Sequence, residues 1–290
     1  MSEKAFLAGL AGRLRARVDA CEGLAGLAVI DLATGERIGI NDGLTFAVAS
    51  SIKVALLTSM YKAVRAGRLA VDARMTVSGA NHVGGSGVLQ YCDHHVDLAL
   101  GDLATLMIVL SDNTATNMII DLVGMDAVNR DLDLLGLAEI RLRRKMIDNA
   151  AAARDEENTA TMRAAAELMR MLWAGEVVDR QLCDDVLHIL RKPKRESPVA
   201  LLLPQDVDIA NKPGGLEGVA AEFAIVYLAR RPYVLCCAVN YGLAADPSPF
   251  VAALSAEVYR YFAVLDRSTA AGRRLPLADL IAAEGHQNRK

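Results

Sequence analysis

Ser50 and Lys53 stand three residues apart in Ala49-Ser50-Ser51-Ile52-Lys53-Val54-Ala55-Leu56-Leu57, where an apolar helical run begins. Residues three apart share one face of a helix, so this spacing sets a hydroxyl beside an amine. A helix start also leaves backbone N–H groups free, and these favour developing negative charge. A weak nucleophile, a base and donors for an oxyanion can therefore meet within four residues, which is what acyl transfer through a covalent serine requires. The tetrapeptide alone is common, and further groups have to join it. Ser111-Asp112-Asn113 offers a second hydroxyl and an amide, and Lys212-Pro213-Gly214 offers a second cation. In an extended segment Ser111 and Asn113 face one side and Asp112 the other. Ser111 can then pass a proton to a leaving amine. Asn113 can hold Lys53 and bind a substrate amide, while Asp112 stabilises its own loop. Burial and a nearby Lys212 would both push the Lys53 amine toward its neutral, basic form.

The surrounding elements must position these groups. An amphipathic helix is predicted over residues 3–20, burying Phe6, Leu7, Leu10, Leu14 and Val18. Leu24 to Asp31 and Glu36 to Ile40 read as a hairpin of two strands. The helix carrying Ser50 and Lys53 runs to about Ala66, with Gly67 as its stop. From Leu69 to about Arg195 helical periods dominate: 102–110, 114–123, 125–135, 159–174 and 179–190. The stretch 78–87 reads as loop and 143–158 as an irregular segment. Strands return at 207–212, 222–228 and 234–240, followed by a helix over 248–262 and a short tail helix over 277–283. Strands at both ends with helices between predict an α+β fold of the α/β sandwich type. An antiparallel sheet of about five strands is flanked by the terminal helices, with an all-helical lobe inserted. The expected division is 1–68 with 199–290 for the α/β lobe and 69–198 for the helical lobe, and the cleft between them is the expected ligand site.

The chain has 290 residues, 53% hydrophobic and 23% charged, with a formal charge of −3. Neither nucleic acid nor an anionic membrane surface is an expected partner, and no apolar run approaches a membrane span. The N-terminal residues lack the order of a signal peptide, because Glu3 precedes the short apolar stretch and arginines follow it. The five cysteines, Cys21, Cys92, Cys183, Cys236 and Cys237, are odd in number and show no metal spacing. They predict small core residues, reduced thiols and a cytoplasmic location. Cys236 and Cys237, adjacent in a strand, should point to opposite faces. His82, His94, His95, His188 and His286 show no metal spacing either. His82, in the loop expected to wall the cleft, is the one expected to touch substrate. No metal and no cofactor are expected, the partner is a small-molecule acyl substrate, and the oligomeric state is left open.

Ser50-Ser51-Ile52-Lys53, Ser111-Asp112-Asn113 and Lys212-Pro213-Gly214 follow the order of S-x-x-K, S-D-N and K-T-G. These motifs are the signature of class A β-lactamases and penicillin-binding proteins. The first two are intact, and the third carries Pro213 where the family has a hydroxyl residue. Leu106 to Asn117 resembles the class A pattern, and Arg154-Asp155 followed by Met162 resembles the end of that family's Ω-loop and the helix after it. The resemblance covers about residues 20–262. It implies an acyl-Ser50 intermediate, catalytic roles for Lys53, Ser111 and Lys212, and substrate-binding roles for Asn113, Gly214 and Gly215. The oxyanion hole it implies is formed by the backbone N–H groups of Ser50 and Gly215.

The departures from the family are as informative. Class A enzymes use an Ω-loop glutamate to activate the deacylating water. Here the segment is shortened, Met146 falls near that position, and Asp148 is the nearest carboxylate that could substitute. Its plainer role is to pair with Arg143 or Arg144. The family's anchor for a substrate carboxylate is replaced by Pro213 and, by count, Ala221. The resemblance therefore implies a serine hydrolase cleaving an amide, lactam or ester bond, whose natural substrate need not be a β-lactam. A true β-lactamase, or an acyl-trapping protein like the penicillin sensors, are the other two readings.

Overall fold

In the computed structural model, which describes residues 3–194 and 196–281, five strands form one antiparallel sheet. They are β1 (Leu24–Asp31), β2 (Arg37–Ile40), and three late strands in the order β2-β1-late-late-late. The chain also contains three short strands between these groups: β3 (Thr45–Ala47), β4 (Arg74–Val77) and β5 (Val96–Ala99). A fourth, β6 (Thr159–Thr161), pairs with β3, while β4 pairs with β5. The late strands are therefore β7 (Asp208–Leu216), β8 (Val219–Tyr227) and β9 (Tyr233–Asn240), and β9 pairs with β1. Pairing the first strand with the last closes both ends of the chain into one sheet.

Both faces of this sheet are covered. Leu27 and Val29 point to a core shared with α1 (Glu3–Asp19), including Leu10 and Leu14, and with a C-terminal helix, including Val258 and Phe262. Ala28 and Ile30 point the other way, into a core shared with the central helices. Cys236 joins that core and Cys237 the first, as strand alternation demands. Cys183 is also buried, whereas Cys21 and Cys92 are only half-buried, which corrects the expectation of five core cysteines. Phe6 is half-buried at the edge of the first core, stacked against Tyr261 with ring centroids 4.7 Å apart.

The central helices are α2 (Lys53–Arg65), α3 (Leu100–Val109), α4 (Asn113–Val123), α5 (Met125–Leu134), the single turn α6 (Asn149–Ala152), α7 (Met162–Ala174) and α8 (Arg180–Leu190). The C-terminal helix, α9 (Ser248–Asp266), runs one turn past its predicted end. Residues 277–281 are helical, and the rest of the predicted tail helix lies outside the described residues. Of the four short strands, β6 falls inside a predicted helix, and β3, β4 and β5 lie in stretches where the sequence predicts no strand. Thr159–Thr161 reads as a helix start in sequence but forms a buried strand, and Thr161 then caps α7 by accepting from Ala164 N at 3.1 Å. Strands of three or four residues span too few alternations to leave a periodic signal.

Candidate active site

Ser50 lies in a 3-10 turn, Ala49–Ile52, that leads directly into α2, of which Lys53 is the first residue. In a 3-10 turn side chains three apart eclipse, so the pair sits closer in line than on an α-helix. The turn is pinned to β7. Ser51 Oγ donates to Lys212 O at 3.0 Å and to Ala221 O at 3.1 Å. Gly214 then packs so tightly on the turn that a Cβ there would fall 2.4 Å from Val48 O and 2.8 Å from Ser50 N. No other residue permits β7 to run this close to Ser50. Gly214 borders the cleft, and its lack of a side chain also sets the distance between strand and serine.

Lys53 is completely buried. Its Nζ donates to Ser111 O at 2.8 Å, Ser111 Oγ at 2.9 Å and Asn113 Oδ1 at 3.1 Å. Burial holds this amine well below the ordinary ammonium range, and the neighbouring Lys212 lowers it further. Ser111 and Asn113 converge on Lys53, but not through an extended segment. Ser111 adopts a left-handed backbone, φ 53°, and Asn113 is the first residue of α4. Asp112, buried between them, caps α4 through Ala115 N and accepts from Val88 N and Leu89 N. It thereby fastens the glycine-rich loop 84–87 against this corner. Asn113 Nδ2 donates to Gly84 O, and a Cβ on Gly87 would fall 2.3 Å from Asp112 Cγ.

Ser50, Ser111, Lys212, Gly214 and Gly215 line one cleft of about 420 Å³. Ser86, Gly87, Val88, Leu110 and Lys194 also line it, and sequence reasoning does not single these out. The loop 78–87 is expected to wall the cleft, and it does so through Ser86 and Gly87, where the glycines that let it pack on Asp112 are visible in the sequence. A larger hollow of about 590 Å³, bounded by Leu216, Tyr241 and Leu243, holds none of the predicted catalytic residues. His82 does not line the cleft. It is half-buried, and its Nε2 has no hydrogen-bond partner among the described residues. The residues of this stretch that line the cleft are Ser86, Gly87 and Val88, a few residues on.

Asp148 is displaced too. It is exposed, lies outside the cleft lining, and caps α6 by accepting from Ala151 N at 2.9 Å. Its expected partners are engaged elsewhere: Arg143 bonds Thr159 Oγ1, and Arg144 pairs with Glu157 at 2.8 Å. That Arg144–Glu157 pair, with buried Asn158 bonding Arg143 N and the Arg144 main chain, closes segment 143–158. Arg154-Asp155 does not close it, because Arg154 pairs with Glu156 on the surface. Met146 is nearly buried, and Asn117 clamps its main chain, accepting from N at 2.8 Å and donating to O at 3.1 Å. Asn117 lies one helical turn after Asn113, so Met146 sits next to the corner that holds Lys53.

The buried lysines give the fold an unusual pH response. Lys212 donates to Pro213 O at 2.7 Å, and burial pushes its ammonium down to about 7, as it does for Lys194. A lysine whose pKa is lower folded than unfolded binds more protons in the unfolded chain. Stability therefore rises with pH from about 7 toward the unfolded value near 10.5. Above about pH 9 the buried thiols of Cys236 and Cys237, pushed up by burial, oppose the trend as the unfolded chain ionises. The urea midpoint is thus expected to increase between about pH 7 and about pH 8.5, and Lys212→Met should flatten that rise. A midpoint falling over this range would contradict the assignment.

No helix among the described residues is long and apolar enough to cross a membrane, and no cluster there could hold a metal ion. Residues 9–262 match the model of the beta-lactamase enzyme family. Beta-lactamase SME-1 of Serratia marcescens is 24% identical over 222 residues, covering 72% of this chain and 73% of its own. Beta-lactamase OXY-2 of Klebsiella oxytoca is 27% identical over 211 residues, 71% and 72% of the two chains. Among solved structures, a beta-lactamase from Sphaerobacter thermophilus aligns with a TM-score of 0.80 at 30% identity, covering 88% of this chain and 97% of that one. A PBP-A mutant held as its acyl-enzyme with penicillin G gives 0.80 at 28% identity, covering 89% and 97%.

Proposed function

This chain belongs to the beta-lactamase enzyme family, and from that premise we propose that it opens an amide, lactam or ester bond through an acyl-Ser50 intermediate. The observation that carries the reading is the buried Lys53 amine, one turn from Ser50 and held by the neutral acceptors Ser111 O, Ser111 Oγ and Asn113 Oδ1. As Ser50 Oγ attacks the carbonyl carbon, neutral Lys53 takes its proton. The backbone N–H groups of Ser50 and Gly215 receive the negative charge that forms on the carbonyl oxygen. The tetrahedral adduct collapses by breaking the bond to the leaving nitrogen or oxygen. Lys53 returns the proton through Ser111 Oγ, 2.9 Å away, to that leaving atom. Lys212, beside Pro213, adds positive potential to the cleft.

The second half-reaction is less well equipped. Met146 falls near the family's water-activating glutamate in the sequence and offers no carboxylate, its main chain being held by Asn117, and the Asp148 carboxylate accepts from Ala151 N at the start of α6. These two observations favour slow release of the acyl group, as in an acyl-trapping protein, over rapid turnover. Intact mass after mixing with penicillin G or an activated ester, together with product release, tests the whole reading. Wild type should gain the acyl mass or turn the donor over, and Ser50→Ala should do neither. Failure of every donor to acylate or turn over in wild type would sink it. Rapid penicillin turnover would instead favour a true β-lactamase.

A further inference from the structure

The hollow of about 590 Å³ bounded by Leu216, Tyr241 and Leu243 takes no part in acylation. It lies where the turn between β7 and β8 meets the loop after β9. Tyr241 and Leu243 are 81% and 82% exposed, more than any other large apolar side chain among the described residues. The loop that carries them is nevertheless fixed. Gly242 N donates to Gly218 O at 2.9 Å, Leu243 N to Glu22 O at 3.0 Å, and Gly218 N to Ala245 O at 2.9 Å. On the other side of Tyr241, the Asn240 carboxamide exchanges hydrogen bonds with Ala47 N and Ala47 O. Tyr241 itself has a left-handed backbone, φ 53°, a conformation that favours glycine or asparagine. The chain thus holds an aromatic ring in water, on a strained residue pinned from both sides. Core packing gives no reason for that ring, and a rigid apolar patch rimmed by polar groups is the form of a contact surface.

The charge at this hollow has one sign. Glu157 and Glu217 line it, and no lysine or arginine does. Glu157 is satisfied by Arg144. Glu217 is exposed and forms no ion pair among the described residues. The same holds for exposed Glu22, whose main chain holds the loop. Free carboxylates repel phosphate-rich surfaces such as an anionic membrane or a nucleic acid. They also disfavour a second copy of this chain, because a two-fold contact would set this face, with its Glu217, against itself. The complement is a cationic segment with an apolar anchor.

We propose that this hollow docks a basic peptide segment of a partner protein. An apolar side chain packs among Leu216, Tyr241 and Leu243, while flanking lysines or arginines meet Glu217 and Glu22. The surface is separate from Ser50, so its test stands whether or not that serine is acylated.

The probe is the fluorescein-labelled hexapeptide KRLWKR, with EDLWED as its acidic counterpart, read by fluorescence anisotropy. Wild type should bind KRLWKR saturably and at least about tenfold tighter than EDLWED. Tyr241→Asn tolerates the left-handed backbone and deletes the ring, so it should weaken binding about tenfold with no loss of thermal stability. Glu217→Lys should weaken it to a similar degree. Raising salt from about 50 to about 300 mM should weaken binding more in wild type than in Glu217→Lys. Leu134→Asn, which removes a 77% exposed leucine from α5, should leave binding unchanged. Equal binding of the two peptides, unaltered binding by Tyr241→Asn, or no saturable binding up to about 1 mM overturns the proposal. Sedimentation showing a wild-type dimer that Tyr241→Asn disperses overturns it too, since the face then belongs to a second copy.

Discussion

Lys53→Met should slow acylation of Ser50 by about 10²–10⁴-fold, the range for loss of a positioned general base. Methionine keeps the length and apolar stem of lysine, so the packing at this fully buried position is largely retained. Removing a buried cation also removes its desolvation cost, so thermal stability should change little, even though Ser111 Oγ and Asn113 Oδ1 lose a donor. The pH profile separates a base from a structural cation. In wild type, acylation should rise with pH through the lowered pKa of Lys53 and then level off, because only the neutral amine accepts the Ser50 proton. That limb should vanish in Lys53→Met. Acylation within a few-fold of wild type, measured by intact mass against time, would remove Lys53 from the mechanism.

The second large effect is a gain. Met146→Glu should speed breakdown of the acyl-enzyme by about 10²-fold, the lower end of what a positioned base supplies. The main chain at this position is already held by Asn117 from one turn beyond Asn113. A carboxylate introduced there would enter a nearly buried site held by Asn117, one helical turn from Asn113. Its desolvation should lower stability by about 1–3 kcal/mol. Met146→Gln is the matched control, with the same length and no base. The readout is the decay of the penicilloyl adduct after excess donor is removed. If the glutamate and glutamine variants release the acyl group at the same rate, position 146 does not address the deacylating water.

Local chemistry accounts for what is legible in the amino-acid order. The spacing of Ser50 and Lys53, the alternation of Leu27 to Ile30 and the period of α1 are encoded within a few residues. The antiparallel sheet also follows from local signals, because strands lie at both ends of the chain and helices between. The order of the three motifs likewise belongs to the sequence.

Three features need the folded chain. Asp148 reads as a possible base because it is near in sequence, but the turn of α6 offers its carboxylate a backbone N–H first. The segment around it is closed by Arg144 and Glu157, thirteen residues apart, a pairing that no periodicity marks. Lys194 is not singled out by the sequence, since nothing near it in the chain shows that its side chain will be half-buried in the cleft that Lys212 also lines. The sequence thus determined which groups could carry out acylation, because the Ser50–Lys53 pair is set by a single turn of helix. Only tertiary structure decided how those groups are tuned and what surrounds them. Burial of Lys53, the approach of Gly214 to Ser50 and the seating of Lys194 all depend on contacts between distant segments.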